Sequence, residues 1–199
     1  MGYYMKEKNL KKGREKTMDF KVEILKYPTE EDWMWCKTCT LNTIGKTAVT
    51  LPDDKWKIRL LKSEHSPIRE LWFGIKMEVP YYVSVHFVRH HIGVNHYVST
   101  QRDDRVFRDE EIVRADLPQG QMVSHIMSIN TQELMFMSRK RLCKQAEETT
   151  RAVMEKIVDG VCITNPEYNK AKVLVPNCVY RNGKCDEFFP CNKGGESNE

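Results

Sequence analysis

Fourteen consecutive residues, Arg89-His90-His91-Ile92-Gly93-Val94-Asn95-His96-Tyr97-Val98-Ser99-Thr100-Gln101-Arg102, follow directly on an apolar run, Tyr81 to Val88. They carry two arginines, three histidines and several smaller hydrogen-bonding groups. The apolar run reads as a buried strand, so the fold must end that strand where a dense polar cluster can face a ligand. Arginine offers a fixed fork of donors suited to phosphate. Histidine and serine add short, directional hydrogen bonds. A charged loop after a strand is the plain alternative.

The chain has 199 residues, 40% hydrophobic and 30% charged, enough for one substantial domain with a real core. A net charge of +4, with acids interspersed among the bases, points away from nucleic acid as the partner. No apolar run reaches the length of a membrane span and no signal-peptide core opens the sequence, so a soluble, cytoplasmic protein is expected. Seven cysteines, an odd count without an export signal, argue against a disulfide framework.

Residues 1–18 are Lys/Glu-rich and read as a flexible N-terminal tail. Phe20 to Leu25 alternates as a strand does. Glu30 to Leu41 reads as a helix with Thr29 as its N-cap, and Asp53 to Leu61 as a second helix, broken at His65-Ser66-Pro67. Leu71 to Met77 and Tyr81 to Val88 read as strands separated by Val79-Pro80. Asp109 to Val113 reads as a short helix, and Leu117-Pro118-Gln119-Gly120 as a turn. From Gln121 to Lys144 the apolar spacing (Met122, Ile126, Ile129, Leu134, Met137) predicts one long helix, followed by another from Ala146 to Val158. The expected division is a tail over 1–18, a main domain over 19–160 and a Cys-rich extension over 161–199.

Asn130, Leu134, Met137 and Arg141 share one face of the predicted long helix. An arginine on an apolar stripe is costly unless it meets an anion, so Arg141 either pairs with a nearby Glu or points into a ligand site. Cys36 and Cys39 form a CxxC on a probable helix and read as small buried residues. Cys162, Cys178, Cys185 and Cys191 offer four thiolates for a structural zinc, which would staple the tail without catalysing anything, because four sulfur ligands leave no open position. Gly45-Lys46-Thr47 lacks the earlier glycine of a phosphate-binding loop, and the Rossmann glycine fingerprint is absent.

Several separated elements, in order, resemble the flavin-dependent thymidylate synthases. That family's signature is Arg-His-Arg, seven residues, then Ser; here Arg89-His90-His91 is followed by seven residues and Ser99. Ser63-Glu64-His65-Ser66-Pro67 is similar to the family's His-x-Ser-Pro segment. Arg114-Ala115-Asp116-Leu117-Pro118 is similar to its Ala-Arg-x-x-Leu-Pro element, and Asn130 to Arg141 with Ala146 to Arg151 to its paired-helix region. The resemblance covers residues 20–158. It implies an α/β (α+β) fold, an antiparallel sheet flanked by helices, and a homotetramer with active sites between subunits. It also implies FAD as cofactor, with NADPH and methylenetetrahydrofolate as co-substrates, and methylation of the pyrimidine deoxynucleotide dUMP to dTMP.

By the same resemblance, Arg151 acts at the pyrimidine as the catalytic group, polarising a carbonyl. His86, Arg89, Ser99, Thr100, Arg102, Arg114 and Arg151 are implied as substrate-binding. His65, Ser66, Arg89, His90, His91, Asn95, Arg139 and Arg141 are implied as cofactor-binding. His91 replaces the third signature arginine, His86 stands where the family has Gln, and one residue is inserted between Asn95 and Arg102. Glu147 and Thr149 replace the family's Gln and Glu. These departures surround the nucleotide, so the same chemistry on dCMP, or transfer that stops at a hydroxymethyl group, is an open alternative. A non-enzymatic nucleotide or nucleic-acid binder with a zinc-bound tail is another.

Overall fold

The computed structural model describes residues 19–106 and 113–191; the expected N-terminal tail and Asp109 to Ile112 lie outside them. Strand β1 (Lys21–Lys26) leads to helix α1 (Glu30–Asn42). Thr29 is the N-cap that the sequence predicts, and with Asp32 it closes a reciprocal capping box. Helix α2 (Asp54–Ser63) is capped by the Asp53 carboxylate and stops at Glu64, whose backbone is left-handed at φ 49°. A single 3-10 turn over Ser66–Glu70 then feeds strand β2 (Trp72–Pro80).

Two expectations fail at this point. Tyr81–Val88 is a helix, α3, not a strand. Its first-turn amides are taken by Gln121 and Gln119 carbonyls (Tyr81 N to Gln121 O, 2.8 Å), and both edges of β2 are already paired. Aromatic and β-branched content suggests strand, but β1 and β4 already flank β2, so the segment cannot fold back as its hairpin partner. The polar cluster therefore starts at a helix C-terminus, with Arg89 as the C-cap. The long helix expected over Gln121 to Lys144 is a strand followed by a helix: β4 (Met122–Asn130) and α4 (Thr131–Arg141). In β4 the buried set is Val123, His125, Met127 and Ile129, a period of two. A polar residue in that set masks the alternation.

With β3 (Val94–Val98) the sheet is antiparallel throughout, in the order β1-β2-β4-β3. Register places Phe73 opposite Ile129, Ile75 opposite Met127 and Val79 opposite Val123, all on one buried face. Each such side chain contributes about 1.5–3 kcal/mol by leaving water. The other face carries Lys76, Glu78, Ser124 and Ser128 and is partly open to solvent, as one face of an antiparallel sheet commonly is.

Helix α5 (Glu148–Thr164) lies over β1: a Cβ on Gly160 would sit 2.8 Å from Ile24. The expected boundary between residues 160 and 161 falls inside this helix. Beyond it, α6 (Pro166–Ala171) sends Tyr168 into the core. There the Tyr168 hydroxyl meets Thr131 Oγ1 at 2.6 Å, and Thr131 donates onward to the Leu71 carbonyl at 3.1 Å. A short helix, α7 (Asn177–Tyr180), starts the last described stretch.

Candidate functional site

Helix α4 organises the site. Its N-cap is Asn130, whose side-chain oxygen accepts from the Glu133 amide at 2.9 Å. Gly93 crosses just above this cap at φ 74°, and a Cβ there would lie 2.5 Å from Asn130 Nδ2. Only glycine allows the chain from Arg89 to enter β3 at this closeness.

The Glu133 carboxylate turns to His90 Nδ1 at 2.8 Å, with both side chains largely buried. From the far end of α4, Arg141 donates its Nε–H to His90 Nε2 at 3.1 Å and an Nη2 hydrogen to the His86 carbonyl at 2.6 Å. Because arginine only donates, His90 Nε2 must accept, which puts the ring proton on Nδ1, facing the carboxylate. Of the two fates open to Arg141, pairing with a glutamate is not the one observed. Burial first, and then nearby Arg89, lower its pKa from the ordinary value; arginine still keeps its charge.

A polar chain continues beneath. His96 Nε2 reaches the His90 carbonyl at 2.7 Å, so that nitrogen carries the proton and Nδ1 accepts. His125 Nε2–H then donates to His96 Nδ1 at 2.9 Å, and Ser84 donates to His125 Nδ1 at 3.0 Å. Desolvation, with His96 adding to it, pushes the His125 pKa down to about 4. Desolvation lowers that of His96 as well, outweighing the hydrogen bond to the His90 carbonyl, which raises it.

Two neighbouring cavities, of about 560 and about 250 Å³, run along α4 and share Ile92, Glu133 and Phe136 in their walls. Glu64, Arg69 and Arg139 close one end; Arg89, His91 and Arg141 line the other. Arg139 pairs with Glu64 and lies 3.5 Å over the Tyr180 ring, while its buried Nε–H has no partner among the described residues. Of the residues read as cofactor-binding, Arg89, His90, His91, Arg139 and Arg141 thus meet at one cleft. His65 and Ser66 are exposed on the 3-10 turn next to Glu64. Asn95 is exposed on the outer sheet face, opposite Ser128.

The residues read as substrate-binding divide. His86 Nδ1–H donates to Thr150 Oγ1 at 2.8 Å, and Thr150 donates onward to Glu147 at 2.8 Å. Glu147 caps α5 by accepting the Thr149 and Thr150 amides. Burial raises its pKa, but those amides and hydroxyls outweigh it and the net shift is downward. Arg151 follows on the same helix, 3.9 Å from Glu155 and about a quarter exposed. Ser99, Thr100, Arg102 and Arg114 lie on the exposed stretch after β3, where Arg102 forms a two-pronged pair with Asp104 (2.9 and 2.7 Å) and the Arg114 amide donates to Asp103. Within one chain, neither that stretch nor Arg151 lines the cleft.

Glu133 escaped the sequence reading. Its signal is the Asn130-Thr131-Gln132-Glu133 spacing, an N-cap followed by an acid at the third helical position. The thiols also regroup. Cys162 packs against the core from α5, whereas Cys143, absent from the expected set, lines one cavity with Cys178, Cys185 and Cys191. Cys36 is buried, its Sγ 3.2 Å from the Pro67 carbonyl, and burial, with Cys39 and Glu70 adding to it, pushes its pKa up to about 12. Among the described residues no helix is long and apolar enough to cross a membrane.

No protein-family profile and no curated protein matches the sequence. Solved structures do match in fold. A UMP/dUMP methylase, PolB from Streptomyces cacaoi, bound with 5-Br dUMP, superposes with a TM-score of 0.62 at 14% identity, covering 79% of this chain and 96% of that one. Thymidylate synthase X from Helicobacter pylori, solved with FAD and dUMP, superposes at 0.60 with 12% identity, covering 78% and 99%. The chain therefore has the fold of the flavin-dependent thymidylate synthases, mixed helices on an antiparallel sheet, as the resemblance implied.

Proposed function

We propose that this chain is a flavin-dependent methylase of a pyrimidine nucleotide, with dUMP to dTMP as its default reaction. The observation that carries the reading is the cleft along α4, where Arg89, Arg139 and Arg141 surround a His90 ring of fixed tautomer, in a fold shared with enzymes solved with FAD, dUMP or 5-Br dUMP. The cleft suits FAD. The buried Arg139 Nε–H lacks a partner among the described residues, Phe136 offers a half-exposed aromatic edge, and Arg89 and His91 supply donors for a pyrophosphate. When bound, FAD would supply the hydride that completes the methyl group, replenished from NADPH, with methylenetetrahydrofolate as the carbon source.

In this reading the protein's own work is binding, alignment and electrostatics. Glu133 holds His90, and Arg141 holds both His90 and the end of α3, so the cleft wall is set before ligand arrives. Ser99, Thr100, Arg102 and Arg114 serve the nucleotide phosphate. Arg151 polarises a pyrimidine carbonyl and stabilises the negative charge developing on the ring. Because these groups stand outside the cleft of their own chain, the reading includes self-association as a homotetramer, with a second copy completing each site.

The test is direct. Purified protein mixed with FAD should acquire a flavin spectrum, and with NADPH and methylenetetrahydrofolate it should convert dUMP to dTMP. Turnover of dCMP in place of dUMP, or a hydroxymethyl product, would keep the chemistry and change the substrate or product. Protein that stays colourless with FAD and turns over neither nucleotide would overturn the reading and favour a non-catalytic binder.

A further inference from the structure

Three chain segments meet at a cavity of about 220 Å³ on the far side of α4 from its N-cap. The link after α4 brings Cys143, α7 brings Cys178, and the stretch after α7 brings Cys185 and Cys191. The turn between Cys178 and Cys185 is tight: Gly183 has φ 94°, Asn182 has φ 55°, and the Gly183 amide donates to the Cys178 carbonyl at 2.7 Å. This doubles the chain back so that both thiols face the same space.

Among the described residues, what else holds this stretch is exposed: Arg181 pairs with Asp186 within it, both half open to solvent. Phe188 is 99% and Phe189 81% exposed, so its large apolar side chains bury almost nothing. All seven cysteines are free thiols, so no disulfide staples it. Its attachments to the end of α4 are polar and near the surface: Lys140 with Glu187 at 3.7 Å, and Gln145 donating to the Phe189 carbonyl at 2.5 Å. Surface ion pairs contribute about 0–1 kcal/mol, too little to order a loop of this kind. A segment that folds back without a core commonly relies on a metal or a disulfide.

We propose that Cys143, Cys178, Cys185 and Cys191 together hold one tetrahedral zinc ion that pins the C-terminal segment to the end of α4, and that Cys162 takes no part. Among the described residues no three such groups already converge on a metal position, so binding draws the thiolates inward around the cavity. Four sulfurs at about 2.3 Å from the ion close its coordination sphere, which makes the site structural. Binding releases the four thiol protons to solvent and leaves the zinc oxidation state unchanged. Cys143 fits the role in sequence as well: it lies two residues past Arg141, so the ion would fix the helix end that carries Arg139 and Arg141. It would also fix Tyr180, which packs on Arg139 at the cleft. The zinc is read without flavin or nucleotide, so its test is independent of the proposed activity.

The experiment is elemental analysis of the full chain, purified under reducing conditions without chelator, for the unaltered protein and for Cys143→Ser, Cys178→Ser and Cys162→Ser. The expected result is one zinc per chain in the unaltered protein and in Cys162→Ser, and at least a tenfold loss in the other two. Cobalt(II) added to chelator-treated unaltered protein should give intense visible bands of tetrahedral cobalt and near-ultraviolet thiolate charge-transfer bands. If the serine variants fail to fold, stepwise mercurial modification of the unaltered protein, with a zinc indicator present, should release zinc as its thiols react. Three outcomes would overturn the proposal: no zinc together with no cobalt–thiolate spectrum, iron in place of zinc, or zinc kept in Cys143→Ser but lost in Cys162→Ser.

Discussion

The wall of the cleft along α4 and the exposed residues after β3, Ser99, Thr100, Arg102 and Arg114, hold the same kinds of side chain in opposite conditions. At the wall, the ring nitrogens of His90 and His96 all have assigned partners, Glu133 and His90 are buried, Arg141 is anchored to histidine and carbonyl, and Arg139 to a carboxylate. After β3, Arg102 pairs with Asp104, and Arg114, exposed to solvent, has its amide held by Asp103. One region is held by buried polar contacts within its own chain; the described residues of the other are held by exposed, local ones. Preorganised donors stabilise charge at a fixed point, and burial strengthens them.

That contrast can be broken. The largest effect is expected from Arg151→Ala, which should lower kcat by about two to three orders of magnitude if Arg151 acts as a single preorganised donor. Steady-state rates measured with an unchanged melting temperature would check it, and unimpaired turnover would remove Arg151 from the chemistry. Next comes pH. His125 has a folded-state pKa near 4, below the ordinary 6.5, so the neutral ring favours the folded state. The sign follows: its contribution is complete above about pH 6.5, is lost as pH falls toward 4, and amounts to about 3 kcal/mol at most. Urea unfolding at pH 7 and pH 5 should show the decline, and His125→Gln should flatten it.

Glu133→Ala removes the acceptor of the His90 ring proton and should destabilise the chain by about 1–3 kcal/mol while weakening FAD binding. Denaturant midpoints and flavin titration report both; a loss confined to stability would leave the cleft as scaffold alone. The smallest stability effect is expected at the other region. Arg102→Ala and Arg114→Ala should stay within about 0.5 kcal/mol of the unaltered protein. Yet each should raise the Kd for dUMP about tenfold, the size of a lost charge-assisted hydrogen bond. A large drop in melting temperature would mean that the stretch is already built into the fold.

Local chemistry made some elements readable. Thr29 announces its helix because an N-cap is a contact between near neighbours, and α2 stops ahead of Ser66-Pro67, at the left-handed Glu64. The motif around Arg89 and the arginines of α4, grouped in the sequence by resemblance alone, line the same cleft. The sequence was silent on whether Arg102, Arg114 and Arg151 share that cleft, since those residues lie outside it in a single chain. It misled at Tyr81–Val88 and Met122–Asn130. An apolar run of eight residues suits strand or helix equally, and the place beside β2 that a hairpin would need is taken by β1 and β4. In β4 the completely buried His125 disguised the alternation, and what makes that burial tolerable is His96, on a strand that pairs from a distance in the chain.

The amino-acid order by itself therefore determined caps, breaks and the inventory of donors, all set by interactions within a few residues. Tertiary structure alone decided which apolar runs became strands, that Cys143 rather than Cys162 joins the C-terminal thiols, and that Glu133 faces His90. Each of those outcomes depends on what occupies the space beside a segment once the sheet has formed, and composition along the chain carries no record of that neighbour.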